Sequence, residues 1–320
     1  VRSTFRKPTV ASLLGLATLF AGGEVFARFV LGLGNPPLSV AHPTIEYMFK
    51  AQDAQRFGNR FLVNEYGMRN EALSPAPARD ETRVLVYGDS VVNGGALTDH
   101  KDLATTDATY WSSRRNARPF VYLNVSAESW GPGNQLAHMK TYGFFGASAA
   151  ILVLSSHDAN DEPTFAPLDP STHPTKAPFS ALTEGVTRYL PRVAQWAGFA
   201  AARPQTDAPP TVGVFASENA LQEIFDLMAA QRLPACVFMH PTRQEIASAP
   251  AEGHGLISRL SVERGVPVFN LAETYKGTTI PGRVYRDDIH ITKFGHAALS
   301  KTLRDVMDLN LCRPPRARGG

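Results

Sequence analysis

Cysteine is almost missing from this 320-residue chain, which carries only Cys236 and Cys312. Two cysteines are too few for a disulfide-scaffolded module. With no C-x-x-C pair and no Cys/His cluster, structural zinc is excluded as well. A chain of this length buries a sufficient core without either device. Internal repeats are also lacking, and 43% apolar against 19% charged residues excludes disorder, collagen and coiled coil. Acidic residues are absent from both ends. Residues 1–7 carry Arg2, Arg6 and Lys7, residues 313–320 carry Arg313, Arg316 and Arg318, and the formal charge of the whole is +3. Taking those six charges away leaves residues 8–312 at −3, a faintly acidic body that excludes a nucleic-acid partner. No H-E-x-x-H occurs and the histidines lack ligand spacing, so no metal and no other cofactor is expected.

What the N-terminus does contain is an ordered pattern. Three basic residues precede an uncharged stretch from Pro8 to Gly23, then Glu24 and Arg28 flank a further apolar run ending near Leu33. Basic, then apolar, then mixed is the order of an export signal. The uncharged stretch falls short of the roughly 20 residues that span a bilayer. A Glu24–Arg28 pair one turn apart extends the stretch to a retained anchor over 1–33, its basic end cytoplasmic. Small residues at Ala21–Gly23, or Val25 and Ala27, admit cleavage instead, and an amphipathic first helix remains a third reading. The expected location is the cell envelope, either anchored in the inner membrane facing the periplasm or exported.

Residues 34–79 are Pro-rich and polar, with a strand-and-turn piece in RFLVNEYGMRN, and read as a linker and N-terminal cover. Beyond them, short β-branched runs alternate with segments of helical period. Arg83–Tyr87, Phe120–Val125, Ala149–Leu154, Ala235–Met239 and Val266–Phe269 lack polar alternation, as expected of strands covered on both faces. Leu221, Ile224, Phe225 and Met228 repeat at i, i+3, i+4, i+7 behind a cap at Ser217, and Leu299, Leu303, Val306 and Met307 form a similar stripe. The alternation predicts a three-layer α/β/α fold with a parallel sheet. A domain over 80–312 is interrupted by an insertion at 158–211, Pro-rich and without a strand signal, holding one helix around 181–202 that Pro191 divides. Leaving from the end of a strand, it is expected to face substrate. Residues 313–320 form a basic tail.

Two short patterns carry chemistry. The first strand ends in Tyr87-Gly88-Asp89-Ser90, which presents a serine at the sheet edge after a glycine that permits a sharp turn. Near the other end stands Asp287-Asp288-Ile289-His290, where an Asp three residues before a His supplies a base and the carboxylate that orients it. Neither pattern is specific alone; their order along the chain is.

From about Arg83 to Leu309 the sequence resembles the SGNH, or GDSL, esterase and acyl-hydrolase family, in GDSVVNGG at 88–95 and DDIHITKFGHAAL at 287–299. The resemblance implies a flavodoxin-like SGNH hydrolase fold, with Ser90 as nucleophile, His290 as base and Asp287 as its partner. The N-terminal segment and NEYGMR resemble the family's envelope-attached members. No G-x-S-x-G occurs, so the α/β-hydrolase elbow is not the match. Two blocks depart from the family. Ser129 stands where an oxyanion glycine is expected; its main-chain N–H can serve if the backbone permits. His157 stands where the oxyanion asparagine is expected, and is either a working donor, with Asn160 in reserve, or a mark of lost activity. The expected oxyanion hole is thus Ser90, Ser129 and His157.

Other residues are placed more loosely. His240 follows the fourth strand at the active edge, in reach of substrate or capping the strand end. Trp130 and Trp196 stack on a sugar or pack in core or lid. Cys236 reads as a buried thiol and Cys312 as part of the tail, with a disulfide between them left open. The expected function is an esterase removing acyl, preferably O-acetyl, groups from envelope or exported carbohydrate. The rivals are an O-acyltransferase using the same site and an inactive polysaccharide-binding or assembly protein.

Overall fold

The structure is a computed structural model and describes residues 9–190, 193, 216–278 and 281–317. Val10–Phe29 form one continuous helix, α1, capped by the Thr9 hydroxyl on the Ser12 amide. The Glu24–Arg28 pair forms inside it at 2.6 Å. At 1.5 Å per residue α1 is about 30 Å long, and Ala27 is its one buried residue.

Residues 34–79 hold two antiparallel hairpins: β1 (Ser39–His42) with β2 (Glu46–Phe49), and β3 (Gln52–Arg56) with β4 (Asn59–Val63). They are no loose cover. Ile45, Tyr47, Phe49, Phe61 and Met68 are buried in the same apolar cluster as the central sheet.

That sheet contains β5 (Thr82–Gly88), β6 (Phe120–Ser126), β7 (Ala149–Ser155), β8 (Ala235–His240) and β9 (Val268–Asn270), all parallel, in the order β6-β5-β7-β8-β9. β5 to β8 lie where the apolar runs predicted them, and β9 overlaps its predicted run at Val268 and Phe269. Alternate residues of β5 serve opposite faces. Leu85 and Tyr87 join the cluster built with α4 (Pro132–Tyr142), α6 (Glu218–Ala230) and α8 (Glu252–Glu263). Val84 and Val86 join the one built with α3 (Ala104–Asn116), α9 (Leu271–Lys276) and α10 (Lys293–Asp308). The Leu221 stripe is buried as expected, and so is the Leu299 stripe except for Met307, which is half-buried. Ser217 sits at the cap position of α6, but its hydroxyl donates to the Asp161 carbonyl and no cap bond forms.

The chain leaves β5 toward β6 and then returns across β5 to β7. The sense in which successive strands are added therefore reverses beside β5, the switch point at which open parallel sheets leave a crevice at their carboxyl edge. Short helices α2 (Ser90–Asn93), α5 (Ala181–Glu184) and α7 (Arg243–Ala247) lie along this edge or in the insertion.

Cys236 and Cys312 are joined in a disulfide, so the buried free thiol is not what the structure holds. The reason is local. Ala235 and Arg313 exchange both backbone hydrogen bonds, at 2.8 and 3.1 Å, which lays the chain after α10 against the start of β8. The tail is pinned further by the Arg264 guanidinium on the Arg316 carbonyl. Of the helix expected around 181–202, α5 and a wider turn over Gly185–Tyr189 are seen. Pro191 and Trp196 lie outside the described residues.

Candidate active site

Ser90 opens α2 immediately after β5. Asp89 caps that helix, its carboxylate accepting from the Val91 amide at 2.8 Å. Gly88 is required at the turn, because a Cβ there would meet Val92 Cγ2 at 2.3 Å. The same crowding presses α2 onto the sheet and leaves Ser90 half-buried at the carboxyl edge.

The Asp287–His290 loop precedes α10 and crosses the same edge. His290 Nε2 lies 2.9 Å from Ser90 Oγ, and His290 Nδ1 lies 2.8 Å from Asp287 Oδ2. Two residues 200 positions apart thus meet at hydrogen-bond distance, and the third orients the imidazole. With Nδ1–H donated to the carboxylate, Nε2 is left to accept the serine proton. Partial burial alone would raise the Asp287 carboxyl. The His290 amide and imidazole and the Ile289 amide outweigh it and hold the group below its ordinary value, so it stays ionised near neutrality.

His240 is buried and supports this loop from below. Its Nε2 donates to the Ile289 carbonyl at 2.8 Å, which leaves Nδ1 to accept from the Tyr275 hydroxyl at 2.9 Å. Burial pushes the imidazole down to about 4, keeping it neutral. His240 therefore positions the loop and does not reach substrate space.

The cleft above Ser90 has a volume of about 470 Å³ and is lined by Ser90, Ser129 and His290 together with Phe57, Arg188 and Tyr189. Thr172, Arg188 and Tyr189 of the insertion thus form one wall of the cleft. Ser129 takes a left-handed backbone, φ 58°, which is the conformation that favours glycine. The serine holds this conformation and lines the cleft beside Ser90.

The remaining site residues predicted from sequence are placed elsewhere. Trp130 is packed in the core with its indole N–H on the Tyr47 carbonyl at 3.0 Å, so it stacks on no ligand. Asn160 is exposed beyond the cleft lining. His157 does not line the cleft either. Its Nε2 lies 3.4 Å from Asp89 Oδ2 and 3.8 Å from Asp158 Oδ1. Burial alone would lower this imidazole, but Asp158 and Asp89 prevail and raise it to about 10. The two carboxylates thus favour the protonated form of His157, which lies beside the carboxylate that caps α2. The three ligand atoms of Asp89, His157 and Asp158 come within 4.8 Å of one another, the one such group among the described residues. A metal there would have to displace the imidazolium proton that the two carboxylates retain.

This pairing has a measurable sign. A folded-state value of about 10 against an ordinary 6.5 means the stabilisation is complete below about 6.5 and lost as pH rises through about 10. The melting temperature is expected to fall between pH 7 and 10, and to fall about 2–4 °C less in His157→Asn, the His157 side of the pair being half-exposed. Equal slopes in the two proteins would remove the pairing.

Sequence patterns missed the residues that brace the site. Arg69, from NEYGMR, is fully buried and donates to the Asn93 and Gly95 carbonyls at 2.9 and 3.1 Å, fixing the turn that follows Ser90. Arg56 pairs with Glu184 at 2.5 Å and donates to the Tyr189 hydroxyl at 2.8 Å, tying a hairpin to the insertion wall. A buried arginine has no sequence signature beyond lying in otherwise patterned strand and turn segments.

No family model and no curated protein matches this sequence. Three similar solved structures are a two-domain esterase active on acetylated mannans, the lipase/acylhydrolase from Enterococcus faecalis, and a lipolytic protein of the G-D-S-L family from Veillonella parvula. The first gives a TM-score of 0.44 at 10% identity over 72% of this chain and 49% of the esterase, so this chain spans about half of it. The second gives 0.42 at 10% identity over 74% and 100%. The third gives 0.42 at 10% identity over 71% and 98%.

Proposed function

We propose that this chain is a serine esterase of the SGNH type that removes acyl groups, preferably O-acetyl, from carbohydrate of the cell envelope or exported from it. The observation that carries the reading is the Ser90 Oγ–His290 Nε2 distance of 2.9 Å with Asp287 at 2.8 Å on the other ring nitrogen. Ser90 Oγ attacks the acyl carbonyl carbon while His290 Nε2 takes the hydroxyl proton. The tetrahedral intermediate collapses as His290 returns that proton to the leaving alcohol oxygen, giving an acyl-serine. Water, deprotonated by the same imidazole, then attacks the acyl carbon and releases the acid and Ser90.

Main-chain N–H groups of Ser90 and Ser129 hold the developing oxyanion, and a missing donor of this kind costs roughly 3–4 kcal/mol. His157 acts at one remove, by neutralising Asp89 beside the nucleophile. A fully assembled triad disfavours the inactive binding-protein reading, since nothing about carbohydrate binding demands that geometry. The envelope assignment rests on α1, whose 20 residues present an apolar, exposed surface, and on the disulfide, which persists in oxidising compartments.

The test is labelling by a serine-directed phosphonate. Stoichiometric modification is expected at Ser90 and is lost in His290→Ala. An unlabelled protein that also fails to turn over an activated acetate ester would sink the reading.

A further inference from the structure

The insertion helix carries an apolar face that nothing among the described residues covers. Val186, Leu190 and Val193 stand at i, i+4 and i+7 with 59, 56 and 56% of their surfaces exposed, and Phe179 just before the helix is 92% exposed. The opposite side is fully used. Ala181 and Glu184 are buried, while Arg188 and Tyr189 form the cleft wall. A helix amphipathic in this sense, apolar toward the outside, lies in an interface.

What covers that face is indicated by its neighbour. The Glu24 carboxylate of α1 accepts from the Ala181 and Leu182 amides at 2.9 and 3.1 Å, capping the insertion helix from the anchor. Leu182 closes on Gly23, where an added Cβ would lie 3.3 Å away, and Leu33 closes on Gly185 at 3.4 Å. The two helices therefore run together where α1 passes from uncharged to charged residues. Val25, Phe26 and Phe29 of α1 are exposed as well, so both elements carry uncovered apolar side chains within a few residues of the place where they meet. In an anchored protein this level is the headgroup layer of the bilayer.

We propose that Phe179, Val186, Leu190 and Val193 form a second membrane contact, and that the ester reaching Ser90 is carried on a bilayer-embedded molecule. The proposal rests on the anchor and esterase readings above. Since Tyr189 and Arg188 sit on the inner side of the same helix, the cleft lies about one helix diameter, ~10 Å, from lipid. A substrate tethered to the bilayer is confined to the layer into which this cleft opens, which raises its effective concentration without any new contact.

The test uses the full chain in phosphatidylcholine/phosphatidylglycerol vesicles, with an environment-sensitive dye on single introduced cysteines, the native pair being locked in its disulfide. Dyes at Val186→Cys and Leu190→Cys are expected to be quenched by spin-labelled lipid as strongly as one at Leu19→Cys in α1. The expected quenching is about fivefold above that at Gln231→Cys, which precedes β8 at the opposite edge of the sheet. Quenching at Leu19 alone overturns the proposal and leaves the anchor standing; quenching at none overturns the anchor as well. Blue-shifted emission without lipid quenching means that protein covers the face, residues 194–215 if it persists on dilution and a second copy if it does not, and either overturns the proposal.

A second arm concerns the substrate. Val186→Asp/Leu190→Asp should keep its rate on a soluble acetate ester and lose about tenfold on an O-acetylated glycolipid in vesicles. An unchanged vesicle rate, or equal loss on both substrates, overturns the membrane-carried ester. A wild-type protein inactive on both overturns the esterase reading itself.

Discussion

Ser90→Ala is expected to lower kcat/KM for an activated acetate ester by about 10⁴–10⁶, equivalent to about 5–8 kcal/mol of transition-state stabilisation. The expectation comes from geometry. Ser90 Oγ is the hydroxyl at hydrogen-bond distance from an imidazole whose other nitrogen is held by a carboxylate. The fold should survive, because Ser90 is only half-buried and the α2 cap is Asp89. An unchanged melting temperature with the rate collapsed is therefore the predicted pair of results. A Ser90→Ala protein retaining a tenth or more of the wild-type rate would remove Ser90 as the nucleophile.

Loss of the disulfide should have the largest effect on stability. Cys236 and Cys312 are 76 residues apart, and closing a loop of that length removes unfolded-state entropy worth about 4.5 kcal/mol in the chain-entropy account. The bond also clamps the segment after α10 to β8 in the sheet interior. Cys236→Ala/Cys312→Ala is expected to melt on the order of 10 °C lower than the wild type. Reductant should lower the wild type by a similar amount and leave the double variant unmoved. Thermal denaturation with and without reductant checks both, and a wild type indifferent to reductant would refute the structural role of the bond.

The positions of β5 to β8 could be read from uninterrupted apolar runs, because a strand covered on both faces has no polar side to interrupt it; the edge strand β9, half-buried to exposed, overlaps its predicted run only at Val268 and Phe269. The stripes at Leu221 and Leu299 were legible for the related reason that one helix face must be apolar. Of the hairpins of residues 39–63, only β4 was, in the strand-and-turn piece RFLVNEYGMRN. The other strands are four or five residues long, too short for an alternation to stand out from a Pro-rich, polar background. Ser217 misled because an N-cap residue and a serine bonded to a distant carbonyl look alike in sequence. For Trp130 the core reading holds: an indole beside the active edge can face the cleft or the core, and the Tyr47 carbonyl that receives its N–H comes from a hairpin 83 residues earlier.

Two apparent departures were resolved differently. Ser129 occupies a left-handed turn normally suited to glycine, and the backbone accepts it at the cost local to that conformation. His157 stands where an amide donor was expected, yet its environment is set by Asp89 and Asp158, one of them distant in the chain.

The sequence by itself determined the order of strands and helices, the serine at the end of the first sheet strand and the Asp/His loop before the last helix. Those depend on periodicity and on neighbours a few residues away. Only the tertiary structure decided that the two cysteines pair, that His157 lies beside Asp89, that Arg56 and Arg69 brace the site from the segment before β5, and that the insertion turns one face to the cleft and the other outward. Each of those depends on charges or surfaces brought together from distant parts of the chain. The ends of the chain, where acidic residues are missing and cysteine is scarce, show the same division: their charge is visible in sequence, but the disulfide and backbone pairing that hold the tail against β8 exist only once the sheet has formed.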